Sequence, residues 1–197
     1  MMGLQYSRVF VSINLTRVVL IYVKDTIGAL QEDFKEGVRW IRPETAHVTV
    51  QFIGKVSEII LEDVISKIGN LTPNLSSFAL SLESPEVAPT LKRPRLIWIP
   101  LTGGVAEMQH LSVEVRCAVK SCGIVLDDKG FLPHITLGRI SQPKYFADHR
   151  GVEKKLEQYA IPAIIQFLKV SEIAVVQSIL GPYGPKYINR KKYSLGA

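Results

Sequence analysis

Four histidines occur in this 197-residue sequence, and two of them repeat one short pattern. His47-Val48-Thr49-Val50 and His134-Ile135-Thr136-Leu137 both read His-apolar-Thr-apolar. On a β-strand, side chains two apart share a face, so each His and its Thr point one way and the apolar pair points the other. The pattern therefore fixes two polar groups by anchoring their neighbours in a core, as a preorganised site on a rigid element requires. Imidazoles have ordinary pKa values near 6.5, and two of them can serve as acid and base in one reaction. His110 and His149 lack the pattern and are expected to be ordinary surface or boundary residues.

The elements that must hold these motifs follow from periodicity. Strands are expected over residues 8–13, 38–41, 46–53, 78–82, 96–101, 134–140, 173–180 and 187–193, from β-branched and alternating apolar residues. Helices are expected over 25–35, over 58–67 behind a Ser57 cap, over 105–122 and over 147–159, with Gly37, Gly69 and Gly123 as stops. Residues 15–23 are too β-branched to assign by period alone. Helices interspersed singly among strands and hairpins indicate an α+β architecture with antiparallel or mixed sheets. The segment 181–185 reads as a hairpin turn, because it lacks the spacing and following Lys-Ser or Lys-Thr of a phosphate-binding loop.

Composition narrows the partners. There are 24 Lys and Arg against 18 Asp and Glu, a net charge of +6, so a polyanion is the first partner to consider. Lys186, Arg190, Lys191 and Lys192 form one basic cluster and Lys92, Arg93 and Arg95 another; either could flank a groove, with Trp98, Tyr183 or Tyr187 to stack bases. Two cysteines exclude a disulfide-dense scaffold and a four-Cys zinc site. Cys122 falls on the apolar face of its helix and is expected in the core, Cys117 less firmly so. The apolar run at 18–23 is far short of the roughly 20 residues that span a bilayer, and residues 1–13 do not resemble an export signal. A cytoplasmic protein is expected, and its length and short strands suggest a monomer.

Two His-x-Thr-x motifs at 47 and 134 resemble the 2H phosphoesterase superfamily, specifically the RNA 2′,3′-cyclic phosphodiesterases, also called 2′-5′ RNA ligase-like or LigT-type proteins. The likeness extends to Arg8-Val9-Phe10-Val11-Ser12-Ile13, to Val38-Arg39-Trp40-Ile41-Arg42-Pro43-Glu44, and to Arg93-Pro94-Arg95-Leu96-Ile97-Trp98. It continues through Pro133 and Arg139 to Ser178, Leu180, Gly184 and Tyr187, in order along the chain. The sequence departs from that pattern in the β-branched stretch 16–23 and at Gly138, where alanine is usual. The resemblance implies a single bilobed domain over 1–197, with pseudo-twofold symmetry around a central groove. It implies hydrolysis of RNA 2′,3′-cyclic phosphate ends to 2′-phosphates, with no cofactor and no metal, His47 as proton donor and His134 as proton acceptor. Thr49 and Thr136 would bind phosphate. Arg139 is a candidate RNA contact, although regular alternation puts it on the opposite face from Thr136. A 2′-5′ RNA ligase and a 2′,5′- or other cyclic-nucleotide phosphodiesterase are alternatives at the same site. A non-catalytic RNA-binding module is the alternative of another class.

Overall fold

The computed structural model describes residues 6–127, 131–159, 161–162, 165–182 and 184–196. Along the chain run β1 (Tyr6–Asn14), α1 (Arg17–Asp33), β2 (Val38–Trp40), β3 (His47–Ser57), α2 (Glu58–Leu71), β4 (Phe78–Leu82) and β5 (Glu86–Thr90). They are followed by β6 (Arg93–Thr102), α3 (Val105–Ser121), β7 (His134–Ile140), α4 (His149–Glu157), β8 (Phe167–Val170), β9 (Glu172–Gly181) and β10 (Gly184–Ser194).

The ambiguity at 15–23 resolves as helix. Thr16 Oγ1 accepts from Val19 N–H and caps α1, and Val19, Val23, Ile27 and Leu30 then bury one stripe at helical spacing. Burial of that stripe outweighs the modest helix penalty of β-branched residues. Two expected helix stops are corrected. Gly37 lies beyond the end of α1, in the turn before β2 at φ +83, where its carbonyl accepts from Ser141 N–H. Gly69 sits inside α2, because a Cβ there would lie 2.9 Å from the Tyr193 ring, whose hydroxyl donates to the Ile65 carbonyl at 2.6 Å. Gly123 follows α3 as expected, at φ +77. β5 and β8 are strands the periodicity did not reveal.

The strands pair antiparallel in the order β10-β9-β1-β3-β7-β6-β4-β8, with β2 added on β7 and β5 on β6. Between β3 and β7 the ladder narrows to one pair, Val48 opposite Ile135, and both side chains are 0% exposed. The sheet thus divides into a lobe of four strands and a lobe of six, hinged on the second residues of the two motifs. The chain order repeats as well: β1-α1-β3-α2-β4 is followed by β6-α3-β7-α4-β8-β9. β4 crosses into the second lobe and β9 into the first, which interlocks the halves. This is the expected bilobed α+β fold with its pseudo-twofold relation. On the first lobe, Ser112 of α3 bonds the Val50 carbonyl, and β10 bonds α2 through Tyr193. Between α1 and α4, Tyr159 donates to the Asp33 carboxylate at 2.6 Å and Lys155 to its backbone carbonyl at 2.9 Å.

Candidate active site

The hinge determines where the motifs point. Val48 and Ile135 face the core, so the residues one step either side face the opposite surface. Antiparallel pairing runs in opposite directions along the two strands, which brings His47 toward Thr136 and Thr49 toward His134. Both histidines and both threonines are half-buried on this surface, where the lobes diverge into a groove.

Each imidazole is held in the same way. His47 Nδ1 lies 2.8 Å from the Thr45 carbonyl, and His134 Nδ1 lies 2.8 Å from the Leu132 carbonyl, in each case two residues back. A carbonyl only accepts, so Nδ1 carries hydrogen in both rings and Nε2 is the nitrogen left able to take up a proton. His47 Nε2 is 3.1 Å from Thr49 Oγ1. Aromatic rings enclose the pair. Phe10 and Tyr187 lie against His47 with ring centroids 4.8 and 5.3 Å away, and Trp98 lies 4.4 Å from His134. Trp98 is itself held by Nε1–H donation to Glu86 at 2.9 Å.

These surroundings lower both histidines below the ordinary imidazole value. Burial is the larger cause for His47; its bond to Thr45 opposes the shift, and the positive form of His134 adds to it. Burial also dominates for His134, opposed by Leu132 and reinforced by the Arg139 cation.

Arg139 reaches the site through a bulge. Trp98 pairs with Thr136 while Ile97 pairs with Gly138, so Leu137 is skipped and both Leu137 and Gly138 turn inward. Arg139 then emerges exposed on the face of His134 and Thr136, contrary to regular alternation. Gly138 makes this possible: a Cβ there would lie 2.6 Å from Val38 Cγ1 and 3.0 Å from Trp40 Cε3. β3 bulges at the matching place, since Ser12 pairs with Thr49 and Val11 with Gln51, skipping Val50. A second bulge skips Ile53, so Thr49, Phe52 and Lys55 share the groove face at intervals of three. Sequence reading did not single out Phe52, Phe10 as a ring against His47, or the bulges; Gly138 directly after Leu137, and the adjacent Phe52-Ile53, were the signal available. Arg42 was also passed over, and its guanidinium spans to the Pro185 carbonyl at 2.7 Å, beside Tyr187.

The remaining candidates divide. Trp98 and Tyr187 sit against the histidines themselves, whereas Tyr183 lies outside the described residues. Of the C-terminal basic cluster, Arg190 turns to α2 and pairs with Glu58 and Glu62, and Lys192 pairs with Glu172 at 3.0 Å. Lys186 and Lys191 are exposed, as are Lys92, Arg93 and Arg95 near the β5–β6 turn. Arg190 and Lys192 are thus paired with acids, so of the cluster that could flank a groove they are not uncompensated charges. His110 is exposed, His149 is half-buried at the start of α4, Cys122 is buried and Cys117 is exposed. Among the described residues, no three His, Cys, Asp or Glu side chains converge as a metal site, and no helix is long and apolar enough to cross a membrane.

A family model described as LigT like Phosphoesterase matches residues 22–98. An RNA 2′,3′-cyclic phosphodiesterase of Aquifex aeolicus is 29% identical over 167 residues, covering 83% of this chain and 85% of that one. One from Methanocaldococcus jannaschii is 25% identical over 181 residues, covering 91% and 96%. In solved structures, E. coli LigT in apo form superposes with a TM-score of 0.75 at 19% identity, over 98% of this chain and 99% of that one. A Thermus thermophilus protein, TT0787, gives 0.73 at 24% identity, over 95% and 97%. The same fold is thus shared over nearly the full length, and the matched segment and the curated relatives make the chain similar to LigT-like phosphoesterases.

Proposed function

We propose that this protein hydrolyses the 2′,3′-cyclic phosphate ends of RNA to 2′-phosphates, using His47 and His134 as a metal-independent acid–base pair. The observation that carries the reading is the pinning of both Nδ1 atoms to backbone carbonyls, which leaves two Nε2 atoms for proton transfer across one groove. The names of the curated relatives point to the same substrate class. In the reaction, His134 Nε2 takes a proton from the attacking water. His47 Nε2–H gives one to the departing 3′ oxygen as the P–O3′ bond breaks. Each transfer is worth about 10²–10⁴-fold in rate. Thr49, Thr136 and Arg139 stabilise the negative charge that builds on the non-bridging oxygens. Arg139 favours neutral His134, which suits a base, and a neutral His134 removes the repulsion that would oppose protonation of His47. The anionic substrate then raises the proton affinity of His47.

A dinucleotide ending in a 2′,3′-cyclic phosphate, incubated with the protein in chelator, tests this. The expected product is the 2′-phosphomonoester, and His47→Ala or His134→Ala should abolish its formation with the melting temperature retained. Undiminished turnover by a folded double variant would overturn the proposal. Joining of two oligonucleotides through a 2′-5′ linkage would assign ligation instead, and binding with no reaction would assign an RNA-binding module.

A further inference from the structure

The groove face of the first lobe continues past the histidines along β1 and β3. Pairing places Ser12 opposite Thr49, then Phe10 opposite Phe52, Arg8 opposite Lys55, and Tyr6 opposite Ser57, all on the face that carries His47. Two features of this strip are costly in an isolated protein. Arg8 and Lys55 are like charges directly across strands, a destabilising arrangement. Phe52 is 68% exposed and Tyr6 61% exposed, aromatic surface left in water on either side of that pair. Among the described residues, neither Arg8 nor Lys55 makes an ion pair. On the second lobe Glu86 pairs with Trp98 and puts an acid beside its groove.

Two facing cations flanked by exposed rings suit a single-stranded polynucleotide, whose phosphates separate the like charges and whose bases cover the rings. We infer that the strip formed by Phe52, Arg8, Lys55 and Tyr6 holds the RNA body on the 5′ side of the reacting end. Phe52 stacks a base, and the Arg8–Lys55 pair clamps a phosphate further upstream. Four residues of β1 separate Ser12 from Arg8, about 13 Å, so the clamp lies a few nucleotides from the reacting phosphate and beyond the reach of a mononucleotide. This rests on the cyclic-phosphodiesterase reading and adds to it that the substrate is an RNA chain with a defined exit path.

The test compares kcat/KM on a mononucleoside 2′,3′-cyclic phosphate and on a pentanucleotide with the same end, for the wild type and for the double variant Arg8→Gln, Lys55→Gln. The wild type should prefer the pentanucleotide and lose that preference as salt rises. The double variant should act equally on the mononucleotide yet lose most of the length preference. One clamped phosphate on a single strand contributes a salt slope of about 0.7, so the variant should be spared about 2.6-fold of the wild-type loss between 50 and 200 mM salt. Its melting temperature should be unchanged or higher, because a repulsion is removed. Equal length and salt dependence in the two proteins, or an equal loss on both substrates, overturns the inference while leaving the phosphodiesterase reading intact. Failure of the wild type to hydrolyse either substrate would sink both.

Discussion

Gly138→Ala is a one-methyl change whose consequence can be worked from the structure. The new Cβ would lie 2.6 Å from Val38 Cγ1 and 3.0 Å from Trp40 Cε3. Carbon atoms pack at about 3.5–4.0 Å, so the overlaps are on the order of 1 Å and 0.5 Å. Val38 is β-branched and cannot swing aside freely, and Trp40 is bulky. β2 must therefore move off β7. Overpacking of this kind costs about 1–3 kcal/mol. β2 also carries Arg39, which pairs directly with Arg139, and it leads into the turn whose Thr45 carbonyl holds His47 Nδ1. A shift near 1 Å at positioned groups can cost up to about 10²-fold in rate. The expected outcome is a lower melting temperature and a kcat on the dinucleotide 2′,3′-cyclic phosphate reduced by roughly 10- to 100-fold. Adding Val38→Ala deletes the atom in closest conflict and should restore part of both. A single variant with wild-type melting temperature and kcat would refute the reasoning, as would a double variant no better than the single.

Burial holds both histidines below the ordinary imidazole value in the free protein, so kcat/KM for the proposed acid–base pair, one ring protonated and one neutral, should peak below pH 6.5. The profile of kcat should lie at higher pH, because bound phosphate favours protonation; limbs of kcat/KM both above pH 7 would contradict this. The same shifts set a stability window: lowered folded values add stability that is present above pH 6.5 and is lost as pH falls through them. Urea midpoints of His47→Ala should accordingly depend less on pH between 6.5 and 5 than those of the wild type. Glu86→Ala frees the Trp98 ring from its 2.9 Å bond and should lower kcat on the dinucleotide 2′,3′-cyclic phosphate several-fold with little change in melting temperature. Tyr159→Phe removes the bond to Asp33 that joins α1 to α4 and should cost about 1–2 kcal/mol in urea unfolding without changing kcat.

The motif strands and the bilobed class were legible because their signals are local. Alternation around His47 and His134 states which side chains share a face, and burial of Val48 and Ile135 agrees with it. Residues 15–23 were not legible: Thr16 is a weak cap in a β-branched run, and tertiary burial of Val19 and Val23 decides the helix. Gly69 misleads because its absent Cβ serves Tyr193, more than a hundred residues away. The C-terminal basic run misleads for a related reason. Its charges alternate sides of β10, and Arg190 sits at a bulge that turns it to Glu58 and Glu62 on α2. Arg139 is the instructive case, since alternation alone put it on the wrong face and only the pairing of β6 with β7 reveals the skipped Leu137.

That bulge and its counterpart after Thr49 explain how one short motif can build two unlike half-sites. Each bulge follows the threonine directly, so in both strands the third residue beyond Thr returns to the groove. In β7 that residue is Arg139, and in β3 it is Phe52. Symmetry of the backbone makes the two imidazoles equivalent in position and in tautomer, each with Nδ1 on the carbonyl two residues back. Asymmetry of the returning side chain makes them inequivalent in charge. A guanidinium beside His134 favours its neutral ring, while Phe52 meets Phe10, the ring 4.8 Å from His47, and brings no charge to oppose protonation there. Acid–base catalysis by identical residues needs such a difference. Exchanging the two, as Arg139→Phe with Phe52→Arg, should therefore depress kcat while leaving both His-Thr pairs intact, and a swap with wild-type kcat and pH profile would show that the asymmetry has no part in assigning the roles.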